Sequence, residues 1–148
     1  MQPYPHVYLA TASSGPNGPV PVSAAGLPDI ATAAPPEFDG PGGTWSPETL
    51  LTAAVADCFI LTFRAISRAS KFEWQALECR VEGVLERLDK GGAYFTRFKT
   101  MARLTLAPGA DAAKARLLLE KAEHGCLVAN SLRSERSLEV TLVTGSTA

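Results

Sequence analysis

Between residues 43 and 63 the chain reads "GTWSPETLLTAAVADCFILTF", and polar positions thin out sharply after Glu48. Ser46 suits an N-cap, Pro47 the first helical position, and Glu48 a first turn whose free N–H groups favour negative charge. Leu50, Leu51, Ala54, Val55, Cys58, Phe59, Leu61 and Thr62 follow at helical spacing and cover more than one stripe. That pattern predicts a central helix enclosed on most sides. Polarity returns at Arg64, Ser67 and Arg68, which puts the helix end near Ser70.

The flanking segments alternate instead. Upstream, "HVYLATA", "SGPNGP" and "VPVSAAG" predict short strands joined by a tight turn whose Gly, Pro and Asn suit the φ angles required. "APPEFDGPGG", residues 34–43, reads as a loop inside one domain, because the segment before it is too short to hold a core alone. Downstream, "EWQALECRVEGVLERL" sets Leu77, Cys79 and Val81 against Glu78, Arg80 and Glu82, a half-buried strand bent at Gly83. After a "DKGG" turn, "AYFTRFKTMARLTLAP" alternates again, with Phe95, Arg97, Lys99 and Arg103 opposite Phe98, Ala102, Leu104 and Leu106. A second helix follows, capped by Asp111 and burying Leu117, Leu118 and Leu119. "CLVANSL" is a short helical or turning piece, and "SLEVTLVT" a last strand. Strands, long helix, strands, helix, strand is an α+β order, with helices set against an antiparallel sheet.

Composition narrows the function classes. With 148 residues, 46% hydrophobic and 20% charged, the chain is expected to form one domain spanning residues 1–148. A net charge of -1 gives no footprint for nucleic acid or an acidic membrane surface. No run approaches the length that crosses a bilayer, and "MQPYPHVYLATASSG" lacks the form of a signal peptide, so a cytoplasmic location is expected. Cys58, Cys79 and Cys126 are too few and scattered for a secreted disulfide framework, and no two form a CxxC. With only His6 and His124 besides, no metal site is expected.

A working cysteine needs a cation, a hydrogen-bond donor or a helix N-terminus to favour its thiolate. Taken alone, Cys58 reads as a small apolar filler on a buried helix face, and Cys79, beside Leu77 and Val81, reads as packing. Two longer motifs change the picture for Cys58. "WSPETLLTAAVADCF" resembles the signature of the OsmC/Ohr family, and "EKAEHGCLVANSL" resembles its second element. The resemblance runs from about His6 to Val143 and implies an OsmC-like fold built as an intertwined homodimer with two active sites at the interface. It further implies a thiol-dependent peroxidase acting on organic or inorganic hydroperoxides in oxidative-stress defence. Cys58 takes the peroxidatic role, giving a sulfenic acid, and Cys126 the resolving role, giving a Cys58–Cys126 disulfide. No bound cofactor is implied; an external dithiol reductant, often a lipoylated protein in the family, resets the pair. Glu48 matches the family's acidic residue, which holds an arginine over the thiolate.

Geometry constrains that last role. Ten residues of helix rise about 15 Å, so a carboxylate at Glu48 cannot reach Cys58 along one straight helix. Glu48 therefore either comes from a second chain, or the helix breaks, or the residue simply caps its own helix. The family's arginine is missing: the matching stretch is "GPNGP", with Pro16 and Pro19 and no arginine before Arg64. Proline offers neither charge nor an N–H. Arg64, Arg68, Arg133 and Arg136 are the candidate substitutes. Arg64 rises about 9 Å beyond Cys58 on another face, while Arg133 and Arg136 read more simply as solvated charge. His124 reads as a helix-end contact. Trp45 and Phe38 are candidates for an apolar mouth or for packing, and Asp57 is expected to face away from the thiol. Two other classes stand beside the peroxidase: a non-catalytic dimer binding a small apolar or electrophilic molecule in the interface pocket, and a structural dimer with merely buried cysteines.

Overall fold

The computed structural model describes residues 1–147 and divides into two compact units, Met1–Leu51 and the residues from Thr52 onward.

In the first unit, β1 (Thr11–Ala12), β2 (Val20–Ser23) and β3 (Ile30–Thr32) form a small antiparallel sheet in the order β1-β2-β3. Of the expected "HVYLATA" strand only Thr11 and Ala12 pair, opposite Ser23 and Val22. The loop that follows makes a 3-10 turn at Pro36–Phe38 and reverses through Asp39, which has φ 59. Gly40 is required here, because a Cβ would sit 1.7 Å from the Ala34 carbonyl oxygen. Helix α1 (Pro47–Ala69) then starts on the cap expected from its sequence. The Ser46 hydroxyl accepts from the Thr49 N–H at 3.2 Å, and the Thr49 hydroxyl accepts from the Ser46 N–H at 2.9 Å. This reciprocal pair satisfies donors that the helix leaves open.

The second unit is built on β4 (Trp74–Arg87), β5 (Ala93–Leu106) and β6 (Glu135–Thr144), with α2 (Ala112–Gly125) and α3 (Leu127–Asn130) between β5 and β6. β4 and β5 pair antiparallel, as the alternating sequence requires. β6 runs parallel to β5, which corrects the expectation of an antiparallel sheet throughout. The cause is the connection: α2 and α3 form a crossover that carries the chain back to the starting end of β5. Phe98, Thr100, Ala102, Leu104 and Leu106 all point inward from β5. A register shift between Val84 and Leu85 lets Phe95 stack on Phe98, with ring centroids 5.1 Å apart. Gly83 makes room for these rings, since a Cβ there would lie 2.7 Å from Phe98.

Phe59 and Phe63 of α1, Ala102, Leu104 and Leu106 of β5, and Ala115, Leu118, Leu119 and Ala122 of α2 form the core. Each fully buried large apolar side chain contributes about 1.5–3 kcal/mol, so these contacts dominate what holds both helices to the sheet. Leu117 is 49% exposed, contrary to expectation. Successive helical residues point about 100° apart, and three in a row cannot all face inward.

Two expectations for α1 are also corrected. It buries only Val55, Phe59, Phe63 and Ser67, one stripe at four-residue spacing, and Leu61 on another face is 51% exposed. Within a single chain it is therefore not enclosed on most sides. By length and composition it is also apolar enough to cross a membrane, because its charges, Glu48, Asp57, Arg64 and Arg68, are sparse. The inner stripe nevertheless belongs to the core against β5 and α2.

Candidate active site

Cys58 lies in the middle of α1, and Cys126 at the turn where α2 ends and α3 begins. The two helices meet near Gly125 and Thr62, where a Cβ on residue 125 would touch the Thr62 methyl at 3.4 Å. Cys126 is buried, with its Sγ 3.9 Å from the Val55 carbonyl oxygen, while Cys58 is half-buried and 3.9 Å from the Thr62 hydroxyl. Both thiols are free; the Cys126 thiol donates to the Val55 carbonyl, and its nearness to Cys58 favours the Cys58 thiolate. A groove of ≈ 590 Å³ opens over Cys58, walled by Ala54, Leu61, Ala65, Leu127 and Val128.

The two sulfurs are pushed in opposite directions. Burial raises the Cys58 pKa, but the backbone of Val128, the Cys126 thiol, the Thr62 hydroxyl and the backbone of Leu127 outweigh it and carry the group below 9.0. Leu127 and Val128 open α3, so their N–H groups have no partner within that helix and are available as donors. Cys126 is pushed up to about 11, first by burial and then by Cys58, against the lowering effect of the Ala129 backbone and the Arg136 charge. The arrangement suits one nucleophilic thiolate beside one thiol that keeps its proton.

Among the described residues, the groups that lower Cys58 include no cation. Arg64 and Arg68 are exposed and border a different groove with Phe72 and Trp74. Arg133 lies over the Tyr94 ring, 4.0 Å from its centroid. Arg136 instead donates from Nε to Glu123 Oε1 at 2.7 Å and acts on Cys126. His124 binds its own helix through Nδ1 and the Glu120 carbonyl at 2.8 Å, as a helix-end residue would. Asp57 is exposed but borders the Cys58 groove, so it does not face away as expected.

Glu48 belongs to the first unit, where it borders a separate apolar pocket of ≈ 500 Å³ with Val20, Val22, Ala34 and Phe38. Trp45 is 50% exposed and pairs with Thr32 through a β-bridge. α1 is unbroken from Pro47 to Ala69, which removes the helix break as a way to join Glu48 to Cys58. Sequence reasoning missed Leu127, Val128 and Thr62. Backbone donors carry no residue signature, but Thr62 lies one helical turn after Cys58, a spacing at which side chains meet.

A family model for OsmC-like protein matches residues 40–141. The uncharacterized protein YmaD of Bacillus subtilis (strain 168) is 29% identical over 140 residues, covering 91% of each chain. Peroxiredoxin OsmC of Escherichia coli (strain K12) is 30% identical over 105 residues, covering 71% of each. The crystal structure of an organic hydroperoxide resistance protein OsmC from Legionella pneumophila superposes with a TM-score of 0.71 at 25% identity, covering 93% of this chain and 97% of that one. The α+β arrangement described above is thus an OsmC-like fold, and the chain belongs to the OsmC/Ohr family.

Proposed function

We propose that this chain is a thiol-dependent peroxidase that reduces hydroperoxides through Cys58 and Cys126. Membership of the family supports a peroxiredoxin-like role at family level. The observation that carries the finer reading is the asymmetric thiol pair, one pKa lowered and the other raised by their mutual influence, with Cys58 on an apolar groove. The Cys58 thiolate attacks the outer oxygen of a hydroperoxide, the O–O bond breaks, and the alkoxide leaves and is protonated to the alcohol. The sulfenic acid left on Cys58 is attacked by the Cys126 sulfur; an S–S bond forms, the S–O bond breaks, and water departs. An external dithiol, such as a lipoylated protein, then exchanges with the disulfide and returns both thiols.

Leu61 and the aliphatic walls around Cys58 favour organic over inorganic peroxides by offering apolar contact to an alkyl group. The open outer face of α1 favours a homodimer, since a long apolar helix with a single buried stripe gains stability by covering the rest. Glu48 of the partner subunit is then the remaining route by which the acidic residue joins the site. The free thiols fit a reducing, cytoplasmic setting.

Treatment with one equivalent of cumene hydroperoxide is expected to convert Cys58 and Cys126 into a disulfide, located by peptide mass spectrometry, and Cys58→Ser to abolish it. The apolar lining and the missing arginine favour a second reading, a non-catalytic pocket for a small apolar or electrophilic molecule. Unchanged free-thiol content after peroxide would remove the peroxidase and leave that reading.

A further inference from the structure

Arg136, in β6, reaches across to both sides of the turn that carries Cys126. Its Nε donates to Glu123 Oε1 at 2.7 Å, Nη1 donates to Asn130 Oδ1 at 2.5 Å, and Nη2 donates to the Glu123 carbonyl. Glu123 lies in the last turn of α2, and Asn130 is the last residue of α3, so one guanidinium spans the whole α2–Cys126–α3 junction. Asn130 closes the ring by donating from Nδ2 to the His124 carbonyl at 3.0 Å. The ion pair is largely shielded, with side-chain exposures of 22% for Arg136 and 15% for Glu123. This differs from Arg97–Glu86, at 56% and 49%, where solvent competes freely. A planar fork satisfied on three sides fixes its partners in a way that a single point charge does not.

We propose that Arg136 is a positioning residue for disulfide formation, a clamp that holds the Cys126 turn so that its sulfur stays against Cys58. The inference rests on the peroxidase reading above and names the group that governs its second chemical step. Cys126 sits between the clamped residues, and its backbone N–H bonds the Glu123 carbonyl that Arg136 also holds. Against burial and the neighbouring Cys58 sulfur, the Arg136 charge also favours the Cys126 thiolate, the form that attacks a sulfenic acid. Loss of the fork frees the turn, and misplacement of a reacting atom by about 1 Å slows a step by about a hundredfold.

The test follows two species in the full-length protein after one equivalent of cumene hydroperoxide: Cys58 sulfenic acid, trapped with dimedone, and the Cys58–Cys126 disulfide. In Arg136→Gln the sulfenic acid still forms but its conversion to disulfide slows about 10- to 100-fold, and sulfenic acid accumulates. Arg136→Lys, which keeps the charge without the fork, recovers part of the rate. Sulfenic acid and disulfide formation slowed by the same factor in folded Arg136→Gln would contradict the proposal, because a clamp on the Cys126 turn acts on the second step. Disulfide formation at the wild-type rate in Arg136→Gln would overturn it, as would a lysine variant as fast as the wild type, which would leave the fork no part. Should Arg136→Gln fail to fold, Glu123→Ala, which removes the Nε acceptor, decides the matter: slowed resolution supports the clamp and unchanged resolution overturns it. A wild-type protein that forms neither species sinks the peroxidase reading itself, a result distinct from these.

Discussion

Cys58 and Cys79 are the same residue in two parts of one unit, and the structure treats them oppositely. Both are half-buried, so desolvation acts against the thiolate of each. At Cys58 the backbone of Val128 and Leu127, the Cys126 thiol and the Thr62 hydroxyl more than offset that penalty. At Cys79, in β4 opposite Ala102, the groups that act on the thiol include no hydrogen-bond donor among the described residues. Burial, reinforced by the charge of Cys126, pushes Cys79 up to about 12. The difference lies in the donors aimed at the sulfur: the start of α3 turns free N–H groups toward Cys58, and the groups that act on Cys79 include none. An activating cation is one route to a thiolate; spare backbone donors are another.

The contrast predicts, first, a large gap in reactivity. Because burial pushes Cys79 up to about 12 while Cys58 lies below 9.0, native Cys58 should react with iodoacetamide at pH 7 at least about tenfold faster than Cys79, its larger thiolate fraction being partly offset by the weaker nucleophilicity of a more acidic thiol. Comparable labelling of the two under native conditions, read by peptide mass spectrometry, would break the comparison. A smaller effect sharpens it. Thr62→Val keeps the shape of the side chain but removes one donor, so the Cys58 pKa should rise and its alkylation at pH 7 slow several-fold, while Thr62→Ser retains the wild-type rate. An unchanged rate in Thr62→Val would leave the hydroxyl no part in holding the thiolate.

Much of the scaffold was readable because its signals are local. Ser46, Pro47 and Glu48 announce the start of α1 within three residues, and the alternation of Leu77, Cys79 and Val81 or of Phe98, Ala102 and Leu104 announces strands with one buried face. Asp111 caps α2 as expected, accepting from the Lys114 N–H at 3.0 Å. What escaped is non-local. The parallel pairing of β6 with β5 depends on how α2 and α3 return the chain, and periodicity within β6 is blind to its partner. α1 reads as apolar on most sides, yet no periodicity separates a face covered by its own chain from one left for another. At the site, the cysteine motifs pointed to Cys58 and Cys126, and the fold places the two near enough to shift each other's pKa. A substitute cation would show in a side chain, whereas the donors beside Cys58 include the backbone of Leu127 and Val128, residues whose apolar side chains give no hint of it.

The most direct test is the pH dependence of Cys58 alkylation in reduced Cys79→Ser protein, where only Cys58 and Cys126 remain to be labelled. Cys58 should titrate with a midpoint below 9.0, and Cys126 should stay protected until close to pH 11. A Cys58 midpoint at or above 9.0, or two cysteines that titrate alike, would contradict a thiolate held by backbone and hydroxyl donors at this helix junction.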